Sequence, residues 1–155
     1  MERIVAVDPG QTTGWAEGTY NPVTREWAFR DAIEIAWEDR FLMRLLLASS
    51  NAGEPLLPPT HIVCEQFTLY KNKAQDQVGS HFPSVRVIGT LEAYLDELGI
   101  LCDLKFQGAS VRDRVAILPE HYDKLKGSEH KKDAYQHLRY FCVANLKAKL
   151  ASVGG

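Results

Sequence analysis

Two short apolar runs in this 155-residue chain each end in a carboxylate: Ile4-Val5-Ala6-Val7 in Asp8, and Ile62-Val63-Cys64 in Glu65. A charge at the end of a buried stretch is costly unless it is paired or meets a cation. If the two runs are parallel neighbours, the carboxylates converge outside the strand ends, where ligands of open α/β sheets gather. A strand-end Asp by itself is an ordinary turn former; two such acids point to a site. A third group lies in Glu129-His130-Lys131-Lys132-Asp133-Ala134-Tyr135-Gln136-His137. On a helix, His130, Asp133 and His137 share one face, which Phe141 and Ala148 continue toward the sheet. His130 and Asp133 then fall beside the strand ends. Asp133 also suits a first-turn acid on the helix dipole, and His130 a surface histidine. His137 reads as a core residue or as a support for the site.

Asp8, Glu65, His130 and Asp133 form an oxygen-rich set with one imidazole. Hard oxygen ligands suit Mg²⁺ or Mn²⁺, and the histidine tilts the choice toward Mn²⁺. Without a cation, the gathered carboxylates repel one another. Two ions about 3.5–4 Å apart can activate a water and stabilise the leaving oxygen of a phosphodiester.

The elements that must position these groups follow from periodicity. Arg3–Asp8, Thr13–Tyr20 and Trp27–Ile35 read as three strands of an antiparallel meander. Residues 37–50 have the spacing of a helix, and 51–60, with three prolines and Gly53, that of a loop. A strand at His61–Glu65 precedes a polar segment, 66–83. Residues 84–98 form a helix stopped by Gly99, and 100–106 a fifth strand. Val111–Leu118 reads as a short helix ended by Pro119, and 119–129 as a basic loop. A last helix begins at an N-capping Ser128 and runs to about Leu150. The order β-β-β-α-β-α-β-α-α predicts an α/β protein, a five-stranded mixed sheet with helices on its faces. Residues 1–151 are expected to form one domain, with 152–155 as a tail.

Composition narrows the class. Hydrophobic residues at 45% and charged residues at 25% exclude disordered, collagen-like and disulfide-scaffold proteins. No apolar run approaches the roughly 18 residues of a membrane span. The first eight residues run straight into a strand pattern instead of a leader. Cys64, Cys102 and Cys142, with no C-x-x-C, read as buried thiols of a reducing, cytoplasmic compartment. The net charge of −2 hides a polarised chain. Residues 1–104 carry 8 basic and 15 acidic side chains, and residues 105–149 carry 10 basic and 5 acidic. The basic third is either a patch for phosphates or a solvated helix face.

Taken in order, three segments resemble the motifs of the RuvC-type Holliday junction resolvases of the RNase H-like superfamily. They are Ile4-Val5-Ala6-Val7-Asp8-Pro9-Gly10-x-x-Thr13-Gly14-Trp15, Val63-Cys64-Glu65-Gln66-Phe67 and His130-x-x-Asp133-Ala134. The resemblance spans nearly the whole chain, and its compact size is most similar to phage-encoded members. The first motif alone is shared with actin-like ATPases, whose two halves 155 residues do not hold. The resemblance implies an RNase H-like fold and a homodimeric endonuclease making paired nicks in four-way DNA junctions with Mg²⁺ or Mn²⁺, two ions per site. It makes Asp8, Glu65 and Asp133 metal-binding carboxylates, with His130 a ligand or a group near the attacking water. Arg112, in Ser110-Val111-Arg112, corresponds to a basic DNA contact. Lys124 and Lys126 match the phosphate-binding lysines by region, and Thr13 joins the DNA contacts through the first motif. The family often places an aromatic wedge three residues after the second acid, where this chain has Thr68 between Phe67 and Tyr70. Either aromatic can stack on a base, with Lys71 and Lys73 nearby, or Phe67 is buried. The Gln-Ala-Arg-Gly segment of the bacterial enzymes is replaced by Pro83-Ser84-Val85-Arg86-Val87-Ile88-Gly89. Gly89 and Ala93 allow close helix approach, between copies or within one. Two alternatives share these residues: a nuclease for flaps, forks or RNA–DNA hybrids, and a junction-binding protein without catalysis.

Overall fold

The computed structural model describes residues 1–48, 58–66 and 82–152. Strands β1 (Glu2–Asp8), β2 (Thr12–Asn21) and β3 (Glu26–Ala36) form the expected antiparallel meander. Helix α1 (Phe41–Ala48), strand β4 (His61–Glu65), helix α2 (Pro83–Leu98) and strand β5 (Leu104–Gln107) follow. Helix α3 (Glu129–Tyr140) and a short strand β6 (Lys149–Leu150) complete the order. The sheet runs β5-β4-β1-β2-β3-β6, with β4 parallel to β1, β5 parallel to β4 and β6 parallel to β3.

The unbroken apolar run of β1 reflects burial on both faces. Ile4 and Ala6 join a core under α3 with Val63, Tyr135, Leu138 and Phe141. Val5 and Val7 join a second core under α1 and α2 with Trp15, Ile62, Leu47 and Leu91. Each fully buried Val or Ile contributes roughly 1.5–3 kcal/mol, so the two layers fix the strand's register from both sides. Because side chains alternate with period 2, Asp8 follows Ile4 and Ala6 onto the α3 face, and Glu65 follows Val63. The same alternation sends Arg3 to the opposite face, where it pairs with Glu17 in a site almost closed to solvent. The Arg3 guanidinium also donates to the carbonyls of Leu46 and Leu47. These are among the end carbonyls of α1 that lack a partner inside the helix. Trp15 Nε1 completes the group by donating to Glu17 at 3.0 Å.

Gly99 ends α2 in the left-handed region (φ 66°), as expected, with its N–H and that of Ile100 returning to Asp96 and Leu95. Ser128 caps α3, its Oγ accepting from the Lys131 N–H at 3.1 Å.

Several boundaries differ from expectation. The last helix does not reach Leu150: it ends at Tyr140, widens into a π-type turn over Phe141–Asn145, and turns back through Lys147 (φ 54°). The following Lys149 and Leu150 pair with Glu26 and Trp27, adding a sixth strand to the predicted five. That pairing covers the otherwise open edge of β3. Strand β5 starts at Leu104 and not at Ile100, because the Ile100 N–H is spent closing α2. The expected helix at 111–118 is a 3₁₀ segment, Ala109–Arg114, and the expected loop after it holds another, Pro119–Lys124. The helix predicted over 37–50 splits into a 3₁₀ turn at Trp37–Asp39 and α1. No described helix is long and apolar enough to cross a membrane.

Candidate active site

Strands β1 and β4 pair in parallel, with Val7 beside Cys64. Asp8 and Glu65, one residue on, therefore leave the sheet together on the α3 face. Across β2, Asp8 pairs with Gly14, and this glycine decides how near α3 can come. A Cβ on Gly14 would lie 1.9 Å from the carbonyl oxygen of His130 and 2.6 Å from its carbonyl carbon. The bare backbone lets the first turn of α3 rest directly on β2, which brings His130 and Asp133 over the strand ends. His130 Nδ1 lies 3.4 Å from Asp8 Oδ2.

Arg112, from the 3₁₀ segment after β5, reaches into this group. Its guanidinium donates to Asp133 Oδ2 at 2.9 Å and lies 3.3 Å from Glu65 Oε1. The other Glu65 oxygen accepts from His137 Nε2 at 2.9 Å, and His137 Nδ1 is 2.8 Å from Gln107 Oε1. A cleft of about 430 Å³ opens beside Arg112 and Asp133, lined also by Ser110, Asp113, Glu129 and Gln136.

Burial and charge set the protonation of these acids. Asp8 is pushed up to about 7, first by burial and then by the charges of Glu65 and Asp133; a hydrogen bond with Glu65 adds to this, and His130 opposes it. For Glu65, burial acts upward but is outweighed by the His137 hydrogen bond and the Arg112 charge, so its carboxyl titrates below the usual range. Burial raises Asp133, with Arg112 partly offsetting it. Burial lowers the Arg112 guanidinium, but Glu65, Asp133 and Asp8 together outweigh this and raise it. Glu65 and Asp133 thus pair with one guanidinium, and Asp8, more buried and outside that pairing, binds a proton more readily than an ordinary carboxylate.

Of the residues singled out in the sequence, Asp8, Glu65, His130, Asp133 and Arg112 come together. Thr13, expected among the DNA contacts, is instead buried, and its hydroxyl donates to the Gly10 carbonyl at 3.2 Å. It closes the turn that follows Asp8. Lys124 stands apart from the acids, its ammonium held by the Arg30 carbonyl on β3 at 2.6 Å. Lys126 is exposed, 3.8 Å from Asp123. Phe67, Tyr70, Lys71 and Lys73 lie outside the described residues. Two positions escaped sequence reasoning. Gly14 carried a usable signal, since a glycine inside a strand often marks close backbone approach. Gln107 carried none, because its place beside Glu65 depends on the β4–β5 register.

The donor set fits a divalent cation in kind: three carboxylates, two of them destabilised as anions, and an imidazole. It is not gathered into a cage. No group of three His, Cys, Asp or Glu side chains among the described residues surrounds a common point, and Arg112 occupies the space between Glu65 and Asp133.

No protein-family model and no curated protein matches the sequence. Solved structures do match the fold. Thermus thermophilus RuvC, solved with a Holliday junction substrate, superposes with a TM-score of 0.56 at 14% identity, covering 96% of this chain and 99% of that one. The fowlpox virus Holliday junction resolvase gives 0.58 at 13% identity, covering 90% and 96%. Its complex with junction DNA gives 0.57 at 10% identity, covering 94% and 97%. The chain has the RNase H-like fold of the RuvC-type resolvases.

Proposed function

We propose that this protein is a metal-dependent endonuclease that resolves four-way DNA junctions by paired nicks. The observation that carries the reading is the convergence of Asp8 from β1, Glu65 from β4 and Asp133 from α3 at one end of the sheet, in a fold shared with junction resolvases. Acids from three separate elements have no structural need to meet, and their repulsion is relieved by cations.

Asp8, Glu65 and Asp133, with His130, would hold Mg²⁺ or Mn²⁺. Two such ions, when bound, activate a water and neutralise the leaving 3′ oxygen of a phosphodiester. The chain's own groups do the rest. Asp8 would bind as the carboxylate, its proton passing to solvent. His130, 3.4 Å from Asp8, is placed either to ligate or to orient the attacking water. Arg112 lines the cleft and, with its charge no longer taken by Glu65 and Asp133, would serve as a phosphate contact. Lys126, exposed, and Lys124, once free of the Arg30 carbonyl, would contact phosphates further along the DNA. Phe67 or Tyr70 would stack on a base, and Lys71 and Lys73 would contact DNA, as the resemblance implies. Paired nicks require two sites related by a two-fold axis, hence a homodimer.

The test is a synthetic four-way junction incubated with Mg²⁺, with Mn²⁺ or with EDTA, comparing wild type with Asp8→Asn. Symmetrical metal-dependent nicks that vanish in the variant support the reading. A panel of fork, flap and RNA–DNA hybrid substrates tests the junction preference, and cutting of these without the junction overturns it. Junction binding without cleavage in either metal overturns the enzymatic part.

A further inference from the structure

We infer that Gln107 and His137 are positioning residues that fix the orientation of the Glu65 carboxylate in the candidate site. The inference rests on the nuclease reading above and concerns how one of its ligands is held.

His137 is fully buried on α3, in a core whose other helix residues are Ala134, Tyr135, Leu138 and Phe141. An apolar side chain would fill that place at no polar cost, whereas a buried imidazole needs partners for both nitrogens. Both partners here belong to the end of the sheet that carries the acids. Glu65 Oε2 lies 2.9 Å from Nε2, and the Gln107 carboxamide lies 2.8 Å from Nδ1. The β4–β5 register sets Gln107 directly beside Glu65, and the Gln66 N–H donates to the Gln107 carbonyl at 2.7 Å. Helix, β4 and β5 are thus tied together at one point.

The proton positions follow from donor and acceptor roles. A carboxylate only accepts, so Nε2 carries the hydrogen, and in a neutral imidazole Nδ1 then accepts. Gln107 Nε2 finds no hydrogen-bond partner among the described residues while its Oε1 faces Nδ1. Turning the carboxamide by half a turn lets its N–H₂ donate to Nδ1 and gives that amide its partner. The chain of donors then runs from Gln107 to His137 to Glu65. Oε2 thus takes the imidazole hydrogen bond, while Oε1 lies 3.3 Å from Arg112. The carboxylate plane is thereby held in one orientation toward the site. Groups that orient a ligating carboxylate in this way are worth roughly 10–100-fold in metal affinity.

The experiment measures Mn²⁺ binding to the DNA-free protein by electron paramagnetic resonance, with junction cleavage kinetics and thermal melting on the same samples. Wild type, His137→Leu, His137→Gln and Gln107→Leu are compared. We expect His137→Leu to melt cooperatively, to lose Mn²⁺ affinity by roughly 10–100-fold, and to lower kcat with little change in KM for the junction. His137→Gln, whose amide can donate to Glu65, recovers most of the affinity, and Gln107→Leu falls between. Nitrogen-15 spectra of the wild type show a protonated Nε2. A folded His137→Leu with wild-type affinity, or no advantage of Gln over Leu, overturns the inference, as does a bare Nε2. If neither His137 variant folds, wild-type affinity in Gln107→Leu overturns it. A wild type that binds no Mn²⁺ and cuts no junction overturns the nuclease reading and this inference together. A wild type that does both beside unaffected variants overturns the inference alone.

Discussion

Asp8→Asn separates the charge stress at the site from its chemistry. Asp8 is mostly buried and its carboxyl is pushed up from 3.8 to about 7, by burial and then by Glu65 and Asp133. A group whose folded pKa lies above its unfolded value favours folding fully below the unfolded value. That contribution is lost as pH rises through the folded one. The metal-free wild type therefore loses stability between about pH 4 and about pH 7 through this residue. Three units at about 1.36 kcal/mol each set a ceiling near 4 kcal/mol. Because the site opens on a solvent cleft, and Glu65 shares the proton, about 2 kcal/mol is the expected size. Asn is isosteric with the protonated acid and carries no such cost. In EDTA near pH 8 the variant should thus melt roughly 4–8 °C above wild type, with the margin shrinking toward about pH 4. Glu65 titrates in the opposite sense, but it is present in both proteins and largely cancels. Millimolar Mn²⁺ should reverse the order, since binding to the folded state stabilises the wild type. Thermal melts across pH, with EDTA or Mn²⁺, measure all of this. A variant no more stable than wild type at pH 8, or a margin that ignores pH, refutes the idea that Asp8 is held under repulsion.

Three further outcomes follow from the packing. Gly14→Ala places a Cβ 1.9 Å from the His130 carbonyl oxygen, so α3 must shift; we expect a loss of about 1–3 kcal/mol or more in denaturant melts. In the same variant, cleavage should fall more than junction binding. Arg112→Met leaves Glu65 and Asp133 without their shared guanidinium. The metal-free variant should melt lower than wild type near pH 8 and gain more from Mn²⁺, read by the same melts, while junction binding weakens in a gel-shift assay. Arg3→Met strands the Glu17 carboxylate in a dry core; the loss should be about 3–5 kcal/mol, and Arg3→Met with Glu17→Leu should recover part of it in urea titrations.

The main lines of the fold were readable because its strands obey simple periods. The Ile4–Val7 run announced burial on both faces, and the i, i+3, i+7 spacing of His130, Asp133 and His137 announced one inward helix face. What stayed hidden depended on contacts between distant segments. Nothing in Lys149-Leu150 marks a strand; it exists because the edge at Glu26 and Trp27 is open. Arg112 could be matched to a basic position, but its place between Glu65 and Asp133 needed the path of the 3₁₀ segment after β5. Thr13 belongs to the motif that follows Asp8, yet its strand turns it inward. A motif fixes order along the chain, whereas alternation fixes which face each residue serves.

Arg112 also bears on the order of binding. DNA brings phosphates toward a site already crowded with Asp8, Glu65, Asp133 and Glu129, so bare acids would repel the substrate. A guanidinium whose charge is already offset by two carboxylates attracts a phosphate only weakly. If DNA came first and drew Arg112 away, the acids would be left uncompensated against an approaching anion. If cations came first, the acids would close on them, Arg112 would be released with its charge intact, and the site would change from repelling to attracting phosphate. On the proposed reading, cations therefore precede or accompany the DNA. Affinity for junctions in EDTA should then be weak and fall steeply with salt.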